Sequence, residues 1–141
     1  MGGGWHDALV TMPPPSAHPR DAVAAAVRAL GEQEVVAWCG TLVRGEPSRH
    51  PLGWLGGTEG WPAHWAREWG VRGLRYAWGA GADATVRSAL RDEHPRVRAM
   101  AVAVAVARGV DDAVPLVEAL RDDAAPRVRA AAERALRRWA S

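Results

Sequence analysis

From Asp83 to Trp139 hydrophobic and polar positions alternate in a helical rhythm, broken at regular intervals by proline, glycine and aspartate. Asp83 is placed to cap a helix over Ala84–Leu90, and Arg91–His94 reads as a turn. Pro95 stands at a first-turn position, where a missing N–H does no harm, and opens a helix expected to reach about Arg108, with Gly109 ending it. Asp111 and Asp112 cap the next helix, Ala113–Leu120, whose Pro115 again falls in the first turn. Pro126 opens a last helix that runs to about Trp139. The pattern predicts two helical hairpins, each a short helix, a turn carrying Asp, and a longer helix beginning PRVRA.

Within the first long helix the run AMAVAVAVA (Ala99–Ala107) alternates with the period of a strand. The start and stop signals on both flanks favour a helix instead, on which Val97, Met100, Ala101 and Val104 share one side while Val102 and Val106 line the other. A helix apolar nearly all round is covered on both sides, so this one is expected in the interior. The last helix differs. Val128, Ala131, Ala132, Ala135 and Trp139 make one stripe, and Arg127, Glu133, Arg134, Arg137 and Arg138 face water, as the outer surface of a terminal unit requires.

Upstream the rhythm is less regular. Trp61–Trp78 reads as a helix in which Ala66, Gly70, Gly73 and Ala77 form a narrow small-residue side open to close approach by another helix. The two glycines cost roughly 1 kcal/mol each in helix propensity, so packing must hold the segment or break it. Trp65, Trp69 and Trp78 adjoin the small side and are expected in the core. Asp21–Leu30 and Glu32–Val43 read as another hairpin, residues 1–19 as a flexible Gly- and Pro-rich tail, and Arg44–Gly60 as a long loop of the kind that is functional or disordered. Residues 20–141 are expected to form one domain, with its clearest repeats over 83–139.

The chain repeats itself: LRDEHPRVRAMA at Leu90–Ala101 returns as LRDDAAPRVRAAA at Leu120–Ala132. Leu90 to Leu120 is 30 residues and Pro95 to Pro126 is 31, which places one added residue in the turn. Self-similarity at this period marks stacked repeats, each burying its apolar face against its neighbours. The phrases VDDAVPLVEALRDDAAPRVRAAAERAL and ALRDEHPRVRAMAVAVAVA closely resemble the short bacterial HEAT-like repeat of the phycobilin-lyase type. That resemblance implies an all-α fold, a short right-handed α-solenoid of helical hairpins with an irregular Trp-rich N-terminal half. It also implies a ladder between units, from the turn aspartates Asp92 and Asp122 to the early second-helix arginines Arg98 and Arg129. An Asp before a helix accepts backbone N–H groups, and a planar guanidinium bridges carboxylates in a fixed geometry, so both residue types suit a structural role.

Composition adds little electrostatic steering. All 18 basic residues are Arg and face 16 acids, a formal charge of +2, and the absence of Lys, Asn, Ile and Phe reads as the codon usage of a GC-rich bacterial genome. One cysteine, Cys39, excludes an internal disulfide, and five dispersed histidines give no metal-ligand spacing. No apolar run approaches a membrane span and no export signal is evident, so a cytoplasmic protein that does not engage a membrane is expected. His64 and Glu68 stand at i, i+4, a spacing more often a hydrogen bond than half a metal site. The LGGTEG run lacks the Lys and Ser/Thr of a phosphate loop. The paired acids fall at helix starts, where capping explains them. No catalytic, cofactor-binding or metal-binding residue is assigned.

What remains is eight tryptophans, five of them between Trp54 and Trp78. Trp, Tyr and Arg dominate binding energies, so Trp54, Trp61, Arg67, Arg72 and Arg75 are the candidate partner-binding residues. The expected function is a non-enzymatic protein–protein interaction module or scaffold. The alternative is a nucleic-acid-binding protein or an alkylpurine DNA glycosylase-like enzyme, since HEAT-like repeats also build such glycosylases; Trp61, Trp65, Trp69, Glu68, Arg72 and Arg75 would then serve, although no motif of that family matches residue by residue.

Overall fold

Proline and glycine punctuate this chain where the pattern requires, and a computed structural model, which describes residues 17–141, shows helices between them. Helix α1 spans Pro19–Leu30, α2 Glu32–Val43, α3 Ala63–Gly73, α4 Ala82–Ala89, α5 Pro95–Ala107, α6 Val114–Ala119 and α7 Pro126–Ala140. Short 3₁₀ turns cover Leu52–Leu55, Asp111–Ala113 and Leu120–Asp122, and there is no strand among the described residues. Of the tail expected over 1–19, residues 1–16 lie outside the described residues and Pro19 already belongs to α1. At the α1–α2 junction the chain reverses at Gly31, whose φ of 89° suits only glycine well.

The helices form two layers. α3, α5 and α7 lie side by side in one, and α2, α4 and α6 back them from the other; α1 covers α2 and the first 3₁₀ turn. The core is continuous through both layers, from Val23 and Trp38 through Leu55 and Leu74 to Val104, Val117 and Ala132. This is the all-α stack of hairpins that the repeat implies.

Packing decides the segment where propensity was weakest. α3 is shorter than the Trp61–Trp78 helix read from sequence: Pro62 precedes it, and it ends at Gly73 with Leu74–Tyr76 in a turn. The early end is satisfied from outside, because Arg108 donates from Nε to the Leu74 carbonyl at 2.9 Å. The small side behaves as expected. A Cβ on Gly70 would stand 3.0 Å from the Cys39 carbonyl oxygen and 3.1 Å from Leu42 Cβ, and one on Gly73 2.9 Å from Cys39 Sγ, so α2 sits directly on the α3 backbone. Trp69 is buried, whereas Trp65 and Trp78 are half-buried at the edge of the core.

Two other expectations are corrected. Within the Arg44–Gly60 loop, residues 52–57 pack against the core, so it is not structureless, while 44–49 and 58–60 stay exposed. Leu52, Trp54 and Leu55 are buried, Trp38 Nε1 donates to Ser48 Oγ at 2.9 Å, and the Leu52 N–H donates to Glu59 at 2.8 Å. Its glycines admit a ring, since a Cβ on Gly57 would overlap the face of Trp69. α5 is interior on Val97, Ala101, Val102, Val104 and Ala105, but Ala99, Met100, Ala103 and Val106 stay partly exposed along one strip. No further helix among the described residues covers that strip.

Gly70→Ala tests the close approach. Helix propensity alone favours the alanine by roughly 1 kcal/mol, whereas a methyl group against an immovable backbone carbonyl costs about 1–3 kcal/mol. Chemical denaturation should show a net loss of stability, and a gain would mean that α2 and α3 stand further apart than described.

Candidate partner-binding groove

The exposed strip of α5 is the floor of an open groove of about 680 Å³. Its walls are the end of α3 with the following turn and the inner face of α7, where Arg127, Ala131, Arg134, Ala135 and Arg138 fall on one helical stripe. Six arginines line it, namely Arg75, Arg96, Arg108, Arg127, Arg134 and Arg138, against one acid, Glu68.

What holds the walls in place is a repeated ion pair. Arg67 on α3 grips Asp92 through Nε at 2.9 Å and Nη2 at 3.3 Å; Arg98 on α5 grips Asp123 through Nε and Nη2, both at 3.0 Å. Each aspartate also accepts an N–H two residues on, from His94 and Ala125 respectively, at 2.9 Å. Each following arginine reaches back to its own turn, Arg98 to the Asp92 carbonyl at 2.8 Å and Arg129 to the Asp123 carbonyl at 2.7 Å. Side-chain exposures of 15% and 9% for the first pair, and 16% and 10% for the second, take both out of the class of weak surface bridges.

Of the residues expected in a ladder, Asp92 and Arg98 pair between units, with Arg67 and Asp123 respectively, and Asp122 and Arg129 do not. Asp123, rather than Asp122, is equivalent to Asp92: the added residue lies in the 3₁₀ turn Leu120–Asp122, before the gripping aspartate, and Asp122 is exposed. Arg67, expected on a recognition surface, is the first rung, and it stands 31 residues before Arg98 as Arg98 does before Arg129. Arg129 itself is exposed and bonds only backbone carbonyls, Asp123 and Ala124. The outer layer carries a parallel bridge, Arg87 to Asp112 at 3.1 Å.

The other candidates separate by burial. Trp54 is 1% exposed and belongs to the core. Arg72 donates to the Leu55 and Gly56 carbonyls, tying the 44–60 segment to α3; burial lowers its pKa, with Glu68 opposing. Trp61 is 53% exposed and stands edge-on to Trp65, over which Arg96 lies at 4.6 Å. Arg75 is exposed in the groove wall. Of the five, Trp61 and Arg75 are thus the accessible ones. Glu68 is 8% exposed, with Oε1 3.6 Å from Arg96 Nε, and neither atom has a hydrogen-bond partner.

His64 stacks flat on His94 at 3.8 Å, and His94 Nδ1 accepts the Arg96 N–H to cap α5. Burial, then the neighbouring His64 and Arg67, hold the His94 pKa below its ordinary value, so the ring stays a neutral acceptor. Cys39 is buried among apolar groups, which pushes its thiol up to about 12 and leaves it unreactive. Among the described residues no group of three or more His, Cys, Asp or Glu is placed to hold a metal ion, and no helix is long and apolar enough to cross a membrane.

The helical stripe of the last helix puts Arg127, Arg134 and Arg138 in water, and the structure adds that α5 presents its own open strip beside them. The 31-residue recurrence of Arg67, Arg98 and Arg129 was the available signal for the register.

The family model of HEAT repeats matches residues 63–137. No curated protein and no solved structure matches the chain.

The rung at Asp123 has a pH signature. Burial alone would raise the Asp123 pKa, but the Arg98 hydrogen bonds and the Ala125 N–H outweigh it and hold the group below its ordinary 3.8. A folded pKa below the unfolded one means that the stabilisation is present above the unfolded value and is lost as pH falls through the folded one. Urea melts should show Asp123→Asn less stable than the parent at neutral pH, with the difference shrinking below about pH 4. Asp122→Asn should follow the parent within about 0.5 kcal/mol throughout. Equal curves for both variants would remove Asp123 from the ladder.

Proposed function

Because the chain belongs to the HEAT-repeat family over residues 63–137, we propose that it is a non-enzymatic interaction module that holds a protein partner in the groove between α3, α5 and α7. One observation carries the reading. Arg75, Arg108, Arg127, Arg134 and Arg138 surround an apolar floor, and none has a carboxylate partner among the described residues. Arg67, Arg87 and Arg98 are by contrast engaged with acids that hold the stack together, and the groove is where several arginines without such partners meet around apolar surface. Arg108 is held by the Leu74 carbonyl, whereas Arg75, Arg127, Arg134 and Arg138 make no ion pair among the described residues, and such a set lining an open groove is what a partner would complete. Trp61, at the start of α3, extends the proposed surface beyond the groove. The short repeats fit the bacterial, phycobilin-lyase type of HEAT unit, and we place the protein in the cytoplasm.

The groove also favours a second reading. A cationic cleft with a buried carboxylate, Glu68, and an Arg96–Trp65 pair beside it has the ingredients of a nucleic-acid site or a base-releasing enzyme. The rings weigh against it: Tyr76 is the one aromatic in the groove lining, while Trp69 is packed on Gly57 and Trp61 lies outside. Stacking platforms need accessible rings at the phosphate-binding surface.

A photo-reactive residue in place of Ala103, on the floor, should cross-link a discrete protein in the native cell. The same residue in place of Ser88, exposed on α4, should not. Cross-linking to DNA at position 103, together with release of alkylated bases, would overturn the interaction reading in favour of the enzyme.

A further inference from the structure

The groove's chemistry specifies its occupant, given the interaction reading above. We infer that the partner contributes an acidic α-helix with one small-residue apolar face, laid along α5 and α7. The floor offers the small side chains of Ala99 and Ala103 with Met100 and Val106, and Ala131 and Ala135 continue small-residue surface into the α7 wall. Such a floor lets a second helix approach closely, and Met100 adapts to the shape it meets. The walls carry six arginines against Glu68, a local charge of +5 in a chain whose formal total is +2. Guanidinium forks match carboxylates in a planar two-point geometry, so glutamates flanking the apolar face meet the rim directly.

Length agrees. The groove follows α5 from Arg96 to Arg108 and α7 from Arg127 to Arg138, about 18 Å at 1.5 Å per residue. A partner helix of about a dozen residues covers it.

A nucleic-acid duplex satisfies the arginines but not the rest. Its phosphates would leave the apolar floor uncovered, and the lining offers a single half-buried ring, Tyr76, to an unstacked base.

The test uses the full chain and fluorescein-labelled helical peptides of about 13 residues. They carry an alanine and leucine stripe at i, i+3, i+4 and i+7 with glutamates on either side, in several registers. Matched peptides with lysine for glutamate and a short DNA duplex serve as competitors. At least one acidic peptide should bind, with affinity falling tenfold or more when salt rises from about 0.05 M to about 0.3 M. Arg127→Glu combined with Arg134→Glu, both exposed, should weaken it at least about tenfold while leaving the melting curve unchanged. Arg137→Glu, outside the groove, should change affinity less than about twofold. No binding by any acidic peptide, or equal binding by the lysine peptides, overturns the acidic-helix inference. If the lysine peptides bind and the Arg127/Arg134 change still weakens them, the interaction module survives that result. Groove-dependent binding of the duplex with none of the peptides overturns both.

Discussion

A guanidinium closed on a carboxylate 25 residues further along the chain is the contact on which the rest of this fold depends. The pair recurs at Arg67–Asp92 and Arg98–Asp123, each time joining one inner-layer helix to the turn that launches the next. Hydrophobic burial supplies most of the stability, but it is non-directional and does not by itself match one side chain to one partner. The bidentate fork does, because its two N–H···O bonds hold at a single relative position of the two units. Backbone N–H groups from His94 and Ala125 finish the carboxylates' coordination, so half-buried charge is compensated on every side.

Once the register is set, charge segregates. Acids are drawn into the clamps, the outer-layer bridge and the helix starts, and six arginines meet one acid along the groove. A groove at +5 in a chain at +2 leaves −3 for the remainder. Overall charge is thus a poor guide to what this protein attracts, and the small net value read from composition understates the field along α5 and α7. The chain belongs to the HEAT-repeat family over residues 63–137, and the interaction reading proposed for it rests on this groove.

Most of the helical architecture was legible in the chain. Proline, glycine and capping signals located every helix but α3 closely, because each acts locally through dihedral freedom or a missing N–H. Non-local facts were not legible. Which of Asp122 and Asp123 faces Arg98 depends on where one added residue is absorbed, and a 3₁₀ turn absorbs it before the aspartate. Trp54 and Arg72 looked like loop and surface residues because nothing local reports that the 44–60 segment folds back onto α3. The groove escaped for a related reason. An all-apolar helix such as α5 implies cover on both sides, and only its neighbours in space reveal the strip left open.

The most direct test of this account is a double-mutant cycle on Arg98 and Asp123, with Arg98→Ala, Asp123→Ala and the pair compared by chemical denaturation. A register-setting clamp predicts strong non-additivity, a coupling of about 1.5 kcal/mol or more, because removing one partner strands the other half-buried. Additive losses, with a coupling below about 0.3 kcal/mol, would show that apolar packing alone aligns the units and would contradict the role given to the clamp.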